Sequence, residues 1–428
     1  MENNTIITLY INNFMVEDFI DNSKVKAIIK SIQALDKIYS DVIDEYGNQY
    51  VDIVMEGGGM LGIGLVGYIY GLEKAGIRFC SIGGNSAGSI AALLLAAIAT
   101  PENEKTTELI EIMCQLDFVK FLDDANDDGE DAKEFVLSLS NSKENLLNKI
   151  KATRNFIYVI DSLWKHKGIV KGETFHNQII KILKEKEITN TNSLLTKMND
   201  FPTLNYPNKN TNPLVAELGI VATELKTSTK FIFPKNKDLI YGIDSNPNPA
   251  DFVRASTSVP FLFKPFSIQP PLPYSKEFKK EWKEQVKFNG VLPEEFLFVD
   301  GGVMSNFPID IFHTKNKTPR MPTFGVKLGY DREDVSKASN AFGLLSATLN
   351  AAMNVRDFEF VYNNPDFEKI IGYIDVQGFN WLDFNMDLNS KIKLFSKGVE
   401  AAHKFLSSFN WEEYKELRGK IAGLKIHK

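Results

Sequence analysis

Apolar residues near the N-terminus recur at three- and four-residue steps, at Val25, Ile28, Ile29, Ile32, Leu35 and Ile38, until the turn-forming EYGNQ ends the pattern. That period keeps one face of a helix inward, so residues 1–50 read as a helical preface. The period then changes. YVDIVM is a run of β-formers ending in three consecutive glycines, the chain reads as helix to about Ala75, a second apolar run RFCSIGG follows, and residues 87–99 read as helix again. Strand, helix, strand, helix at this spacing makes a βαβα unit, which implies parallel strands joined by right-handed connections.

From Pro101 to about Leu195 the pattern is helical and polar, broken by DDANDDGED and HKGIVKGE, and reads as a covering insertion. Strand patterns return in AELGIVATEL, TKFIFP, FLFVDGG and TFGVKLG, with proline-rich connectors such as IQPPLPY between them. Beyond Tyr330 the chain turns helical apart from IIGYIDV, and it ends in the basic KELRGKIAGLKIHK. The expected fold class is α/β with a mainly parallel central sheet. Its expected parts are the preface over 1–50, a main domain over 51–330 with the insertion at about 101–195, and a mainly helical region over 331–428 that completes it.

Composition adds exclusions. With 43% hydrophobic and 24% charged residues the chain can bury a sizeable core, and disorder is not expected. A formal charge of −6 gives no general attraction to nucleic acid or anionic lipid. MENNTIITLY carries an acidic residue where a secretory signal needs basic ones, and no stretch approaches the roughly 20 apolar residues that cross a bilayer. Cys80 and Cys114 suggest neither a disulfide framework nor a metal cluster. A cytoplasmic protein without metal or organic cofactor is the expectation, with any membrane contact peripheral.

Two glycine turns carry the candidate chemistry. Gly57, Gly59 and Gly62 satisfy G-x-G-x-x-G between a strand and a helix, a setting that binds dinucleotide pyrophosphate through backbone N–H groups. That reading needs an acidic residue at the end of the next strand, where this chain has Cys80, Ser81 and Ile82. Directly after them comes GGNSAGS, in which Gly84, Ser86 and Gly88 form G-x-S-x-G at a second strand-to-helix turn. Small residues around Ser86 allow a sharp turn that lifts its hydroxyl to the positive end of the following helix, which is nucleophile geometry. Parallel strands would set the glycine loop beside Ser86, so its N–H groups would meet an oxyanion instead of a phosphate.

A serine needs a base. Of the five histidines, His166 and His176 fall in the polar helical region, His313 follows FPIDIF, His403 sits in VEAAHKFL and His427 lies in the tail. In FLFVDGGVMSNFPI, by contrast, a β-rich run stops at Asp300, Gly301 and Gly302 turn the chain, and Asn306 and Pro308 close the loop. A carboxylate there is poised over the active edge, and partial desolvation beside Ser86 would raise its pKa and improve it as a base. A Ser86–Asp300 dyad is the sharp hypothesis. A soluble carboxylesterase with a Ser86, Asp300, His403 triad is the enzymatic alternative.

These residues resemble the patatin-like phospholipase family, whose order is a glycine-rich oxyanion loop, a G-x-S-x-G elbow and a downstream D-G-G or D-G-A. GIVATELKTSTKFIF, VRASTSVPFLFKPF and GYIDVQGFNWLDFNMDLNSKIKLFSKGVEAAHKFL are also similar to family segments, so the resemblance covers about residues 51–410. It implies a three-layer α/β/α sandwich and a hydrolase of phospholipid or lysophospholipid esters. In it Ser86 would be the nucleophile and Asp300 the base, and the backbone N–H groups of Gly57, Gly58 and Gly59 would form the oxyanion hole. The expected partner is a lipid or membrane surface, not nucleic acid, with room for an activator that the sequence does not identify. Leu61 departs from the family, which often has Arg or Lys there. On that departure rests a further alternative, a catalytically weak lipid- or partner-binding protein on the same scaffold.

Three other segments invite function. Asp124, Asn126, Asp128 and Gly129 match the first half of a calcium loop, but position twelve is Phe135 instead of Glu, so a solvated acidic loop is favoured. In SKEFKKEWKEQVKF, Phe278, Trp282 and Val286 fall on one helix face among lysines, which suits either a membrane surface or packing on the domain. VPFLFKPF would line an acyl pocket or fill the core.

Overall fold

The computed structural model describes residues 15–116, 118–122, 167–206, 212–314, 317–330, 351 and 355–423. The N-terminal periodicity becomes helix α1, Ser23–Gln33, whose first turn is capped by the Asn22 side chain accepting from the N–H groups of Lys24 and Val25. The apolar repeat outruns the helix: Leu35 lies beyond its end and Ile38 is exposed.

The βαβα unit follows as β1, Gln49–Met55; α2, Gly62–Lys74; β2, Ile77–Gly84; and α3, Ala87–Ile98. Every residue of β2 is buried, Arg78 and Ser81 included, which is why it reads as a mostly apolar run and not as an alternation. Next come α4, Thr106–Gln115; α5, Glu173–Glu185; β3, Leu218–Glu224; β4, Thr229–Phe233; α6, Ala250–Ser256; and β5, Phe266–Ile268. The chain continues through α7, Lys276–Gln285; β6, Phe296–Asp300; β7, Thr323–Leu328; β8, Ile371–Ile374; α8, Leu388–Ser408; and α9, Trp411–Ile421, with shorter turns and strands between. The acidic loop at Asp124, and His166 and His427, lie outside the described residues.

The main sheet has the order β8–β7–β1–β2–β3–β6–β5. From β8 to β3 neighbouring strands are parallel, whereas β6, β5 and β4 pair antiparallel, so the centre is mostly parallel and one side is mixed. Phe324 of β7 packs on Phe405 of α8, and α8 lies along α2. Gly325 faces the other way, where a Cβ would lie 2.6 Å from both Phe307 and Ile309. Helices α2 and α8 therefore cover one face, and the segment through Phe307, Ile309 and Ile311, backed by the helical residues 355–363 through Asp357, covers the other, in keeping with the expected α/β/α layers.

The pairing along β3 builds the site. Gly84, the last residue of β2, stands opposite Ile220, and Asp300, the last residue of β6, stands opposite Ala222, while β4 fills the other edge of the same stretch. The strands β2 and β6 thus run toward each other along one edge of β3. Their ends stop two residues apart.

Helix α7 settles one open sequence reading. Trp282 is buried, stacks on Phe296 at 5.1 Å and donates its indole N–H to the Leu239 carbonyl at 2.8 Å, and Phe278 is buried beside it. The apolar stripe packs on the domain and is not a membrane-facing surface.

Candidate active site

Ser86 occupies the turn between β2 and α3 with φ 49° and ψ −119°, a conformation that a non-glycine residue keeps only when its surroundings hold it. The glycines on either side make this possible. A Cβ on Gly88 would run into the Met55 carbonyl oxygen, and one on Gly84 would come within 2.7 Å of the Gly88 backbone. The turn can therefore press against the end of β1. The Ser86 N–H donates to Ser256 Oγ at 3.0 Å, and its carbonyl accepts from Ser89 Oγ at 2.6 Å.

Asp300 is held at both ends. Its N–H donates to the Ser258 carbonyl at 2.9 Å, and its Oδ1 accepts from Asn85 Nδ2 at 2.9 Å and from the Gly302 N–H at 2.7 Å. A Cβ on Gly301 would lie 2.5 Å from Asn85 Oδ1, so this glycine is what lets the two turns meet. Burial pushes the Asp300 carboxyl above its ordinary pKa, and hydrogen bonds from Asn85, Gly302 and Ser86 oppose the rise.

The glycine loop stands directly over Ser86: a Cβ on Gly57 would be 3.1 Å from the Ser86 Cβ. The Gly57 N–H is already used, donating to the Asn306 carbonyl at 3.1 Å, so the expectation that Gly57, Gly58 and Gly59 all offer free donors is corrected. The N–H groups of Gly58 and Gly59 have no partner among the described residues. Gly59 has φ +53°, and the next N–H, of Met60, donates to the Trp381 carbonyl at 2.9 Å. Gly62 opens α2 against α3, with a Cβ placed there 3.1 Å from the Ala87 Cβ. Leu61 is buried in the core, where a charged side chain would have to enter apolar surroundings. The residue before the glycines, Glu56, is instead paired with buried Lys327 at 3.8 Å.

The described histidines stand elsewhere. His403 follows Ala402, which packs against Gly71. Gly71 is nine residues past Gly62, about 14 Å along α2 at 1.5 Å per residue, so the structure does not assemble the Ser86, Asp300, His403 triad. His176 pairs with Asp251 at 2.9 Å, and His313 lies beside Arg418 at 3.3 Å.

From Gly59, Gly62 and Ala87 a partly open apolar cleft runs between α2 and α3 past Ala91 to Val66 and Leu94. Its α3 wall, at Ala87, Ile90, Ala91 and Leu94, is one helix face. VPFLFKPF lies apart from this wall: Leu262 is buried, and Phe263 and Phe266 flank the Arg254 guanidinium at 5.9 and 5.7 Å. Sequence reasoning passed over Asn85, Ser256 and Ser258, since a short polar residue in a turn looks alike whether it faces water or a buried carboxylate.

Such a sheet, with a serine at a strand-to-helix turn, defines an α/β protein with nucleophile-elbow geometry. The chain belongs to the patatin-like phospholipase family, whose sequence model matches residues 53–313, more than half of its length. It is 25% identical over 366 residues to the uncharacterized protein YqhO of Bacillus subtilis (strain 168), an alignment covering 85% of this chain and all of that one. Among solved structures, VipD from Legionella pneumophila is similar with a TM-score of 0.40 at 15% identity, over 89% of this chain and 73% of that one. ExoU from Pseudomonas aeruginosa, solved in complex with SpcU, is similar with a TM-score of 0.35 at 14% identity, over 84% of this chain and 52% of that one. No helix among the described residues is long and apolar enough to cross a membrane.

Proposed function

We propose that this chain is a serine acyl hydrolase acting on phospholipid or lysophospholipid esters, with Ser86 as nucleophile and Asp300 as base. The observation that carries the reading is the position of the strained Ser86, between a buried carboxylate and two unpartnered backbone donors and next to an apolar cleft lined by Gly59 and Ala87. Asp300 takes the Ser86 proton as Oγ bonds to the ester carbonyl carbon, and the Gly58 and Gly59 N–H groups meet the charge on the carbonyl oxygen. The carbon–alkoxide bond then breaks, and the leaving oxygen takes the proton back from Asp300. Water repeats the sequence on the acyl-Ser86 ester, losing its proton to Asp300 and releasing the fatty acid and free Ser86. These steps call for no cofactor. The catalytic unit in this reading spans 51–330 and is completed by 331–428, working peripherally at a lipid surface.

A fluorophosphonate probe separates this from the binding-protein alternative. It is expected to label the wild-type chain and not Ser86→Ala, as read by intact mass; equal labelling of both, or none on lipid vesicles, would oppose the proposal. The cleft is proposed to take the acyl chain. Ala91 faces it one turn below Ala87, so Ala91→Phe should shorten the chain that fits. Each methylene denied burial costs about 0.8 kcal/mol, so excluding two or more should lower kcat/KM for long-chain nitrophenyl esters by roughly tenfold or more. The butyrate ester should be little changed, and an unaltered chain-length profile in the folded variant would argue against the cleft as the acyl site.

A further inference from the structure

Asn85 is fully buried immediately before Ser86, and every polar contact of its amide leads to the site. Nδ2 donates to Asp300 Oδ1 at 2.9 Å and to Asn306 Oδ1 at 3.1 Å, while Oδ1 accepts from Ser256 Oγ at 3.3 Å. Asn306 in turn grips both sides of the Gly57 residue: its carbonyl accepts the Gly57 N–H at 3.1 Å, and its Nδ2 donates to the Gly57 carbonyl at 3.2 Å. We propose that Asn85 and Asn306 are positioning residues, an amide relay that fixes Asp300 against Ser86 and, through Gly57, aims the Gly58 and Gly59 N–H groups. The inference rests on the Ser86–Asp300 reading and extends it.

A carboxylate oxygen has two lone pairs, and those of Oδ1 are taken by Asn85 and by the Gly302 N–H, which leaves Oδ2 for the Ser86 hydroxyl. Asn85 cannot rotate its amide without losing Ser256 and Asn306 together, so Asp300 receives a donor and never a repelling carbonyl. The relay also explains how two loops from distant parts of the chain keep one geometry. Asn306 is itself anchored from behind, because Asp357 accepts the Phe307 N–H at 2.7 Å and Ser305 Oγ at 3.3 Å.

Charged groups on the packed elements are otherwise engaged. Glu224 on β3 accepts from the N–H groups of Lys226, Thr227 and Leu297; Arg254 on α6 donates to Ser258 Oγ and to the carbonyls of Lys171 and Lys264; and Lys327 stands by Glu56. What acts on Asp300 is burial and the hydrogen bonds of Asn85, Gly302 and Ser86. Losing the Asn85 donor removes stabilisation of the charged form, so the pKa of Asp300 must rise further.

The test uses the full chain with Asn85→Ala, Asn306→Ala and, as the conservative variant, Asn85→Thr, which restores a short hydroxyl donor. Two readouts are taken: the ¹³C shift of the Asp300 carboxyl in the resting protein, assigned with Asp300→Asn, and the acid limb of kcat/KM. Asn85→Ala is expected to move both upward by about one pH unit or more, with Asn85→Thr recovering part of the shift. Asn306→Ala should lower kcat roughly tenfold or more, and the double alanine variant should lose less than the product of the single losses. An unmoved Asp300 titration in folded Asn85→Ala, or strictly multiplicative losses, overturns the relay. Full activity of Asp300→Asn would instead sink the catalytic reading, and the carboxyl titration would still judge whether Asn85 holds Asp300.

Discussion

Asp300→Asn is expected to lower kcat for a short nitrophenyl ester by roughly three orders of magnitude or more, Ser86→Ala to do the same, and the double variant to be little worse than either. One carboxylate serves both half-reactions in the proposed mechanism, taking the proton first from Ser86 and later from water, so its loss leaves neither step intact. The fold should survive, because an amide oxygen can still accept from Asn85 and Gly302. A thermal melt adds a sign. Burial raises the Asp300 pKa in the folded state, so this group favours folding most at low pH and that contribution is lost as pH rises through the folded pKa. At neutral pH the neutral Asn should therefore melt no lower than wild type. The same shift places the acid limb of wild-type kcat/KM above the ordinary aspartate range near 3.9. Retention of more than about a tenth of wild-type turnover by folded Asp300→Asn would falsify its role as base.

The βαβα unit was legible because its strands are buried on both faces and its glycines are forced by contact. The expected boundaries of β1, α2, β2 and α3 agree with those found to within one residue or so, and Gly84, Gly88 and Gly301 stand where a Cβ would meet backbone or a buried amide. What did not show in the sequence is relational. Nothing local in FLFVD says that this strand runs antiparallel along β3 to meet β2 head on; that depends on β3 accepting both strands on one edge. The free donors narrowed to Gly58 and Gly59 because Asn306, some 250 residues away, takes the Gly57 N–H. VPFLFKPF reads as acyl-pocket lining or as core, and it lies beside Arg254 with Leu262 buried; the cleft proposed to take the acyl chain runs along α2 and α3, where small residues next to Ser86 leave space that bulky ones would have filled. The stripe on α7 had the period of a membrane-facing helix, and period alone cannot tell lipid from a neighbouring strand.

Gly59→Ala is expected to lower kcat by about two to three orders of magnitude, the range found when oxyanion donors are lost. Two effects add at this position. At φ +53° a side chain strains the backbone, and the new Cβ would run into the Trp381 carbonyl, the same oxygen that receives the Met60 N–H. The loop has to move, and the N–H groups of Gly58 and Gly59 move with it. Because those donors meet charge that exists only in the transition state, kcat and kcat/KM should fall together while KM for a short ester stays nearly constant. Gly76→Ala separates strain from aim. Gly76 also has a positive φ, +77°, but nothing lies within 4 Å of a Cβ placed there, and it follows the far end of α2. That variant should lose about 1 kcal/mol of stability and keep its turnover. If Gly59→Ala behaves as Gly76→Ala does, melting lower but keeping more than half of wild-type kcat, then the glycine loop shapes the fold and the oxyanion must be met by other donors.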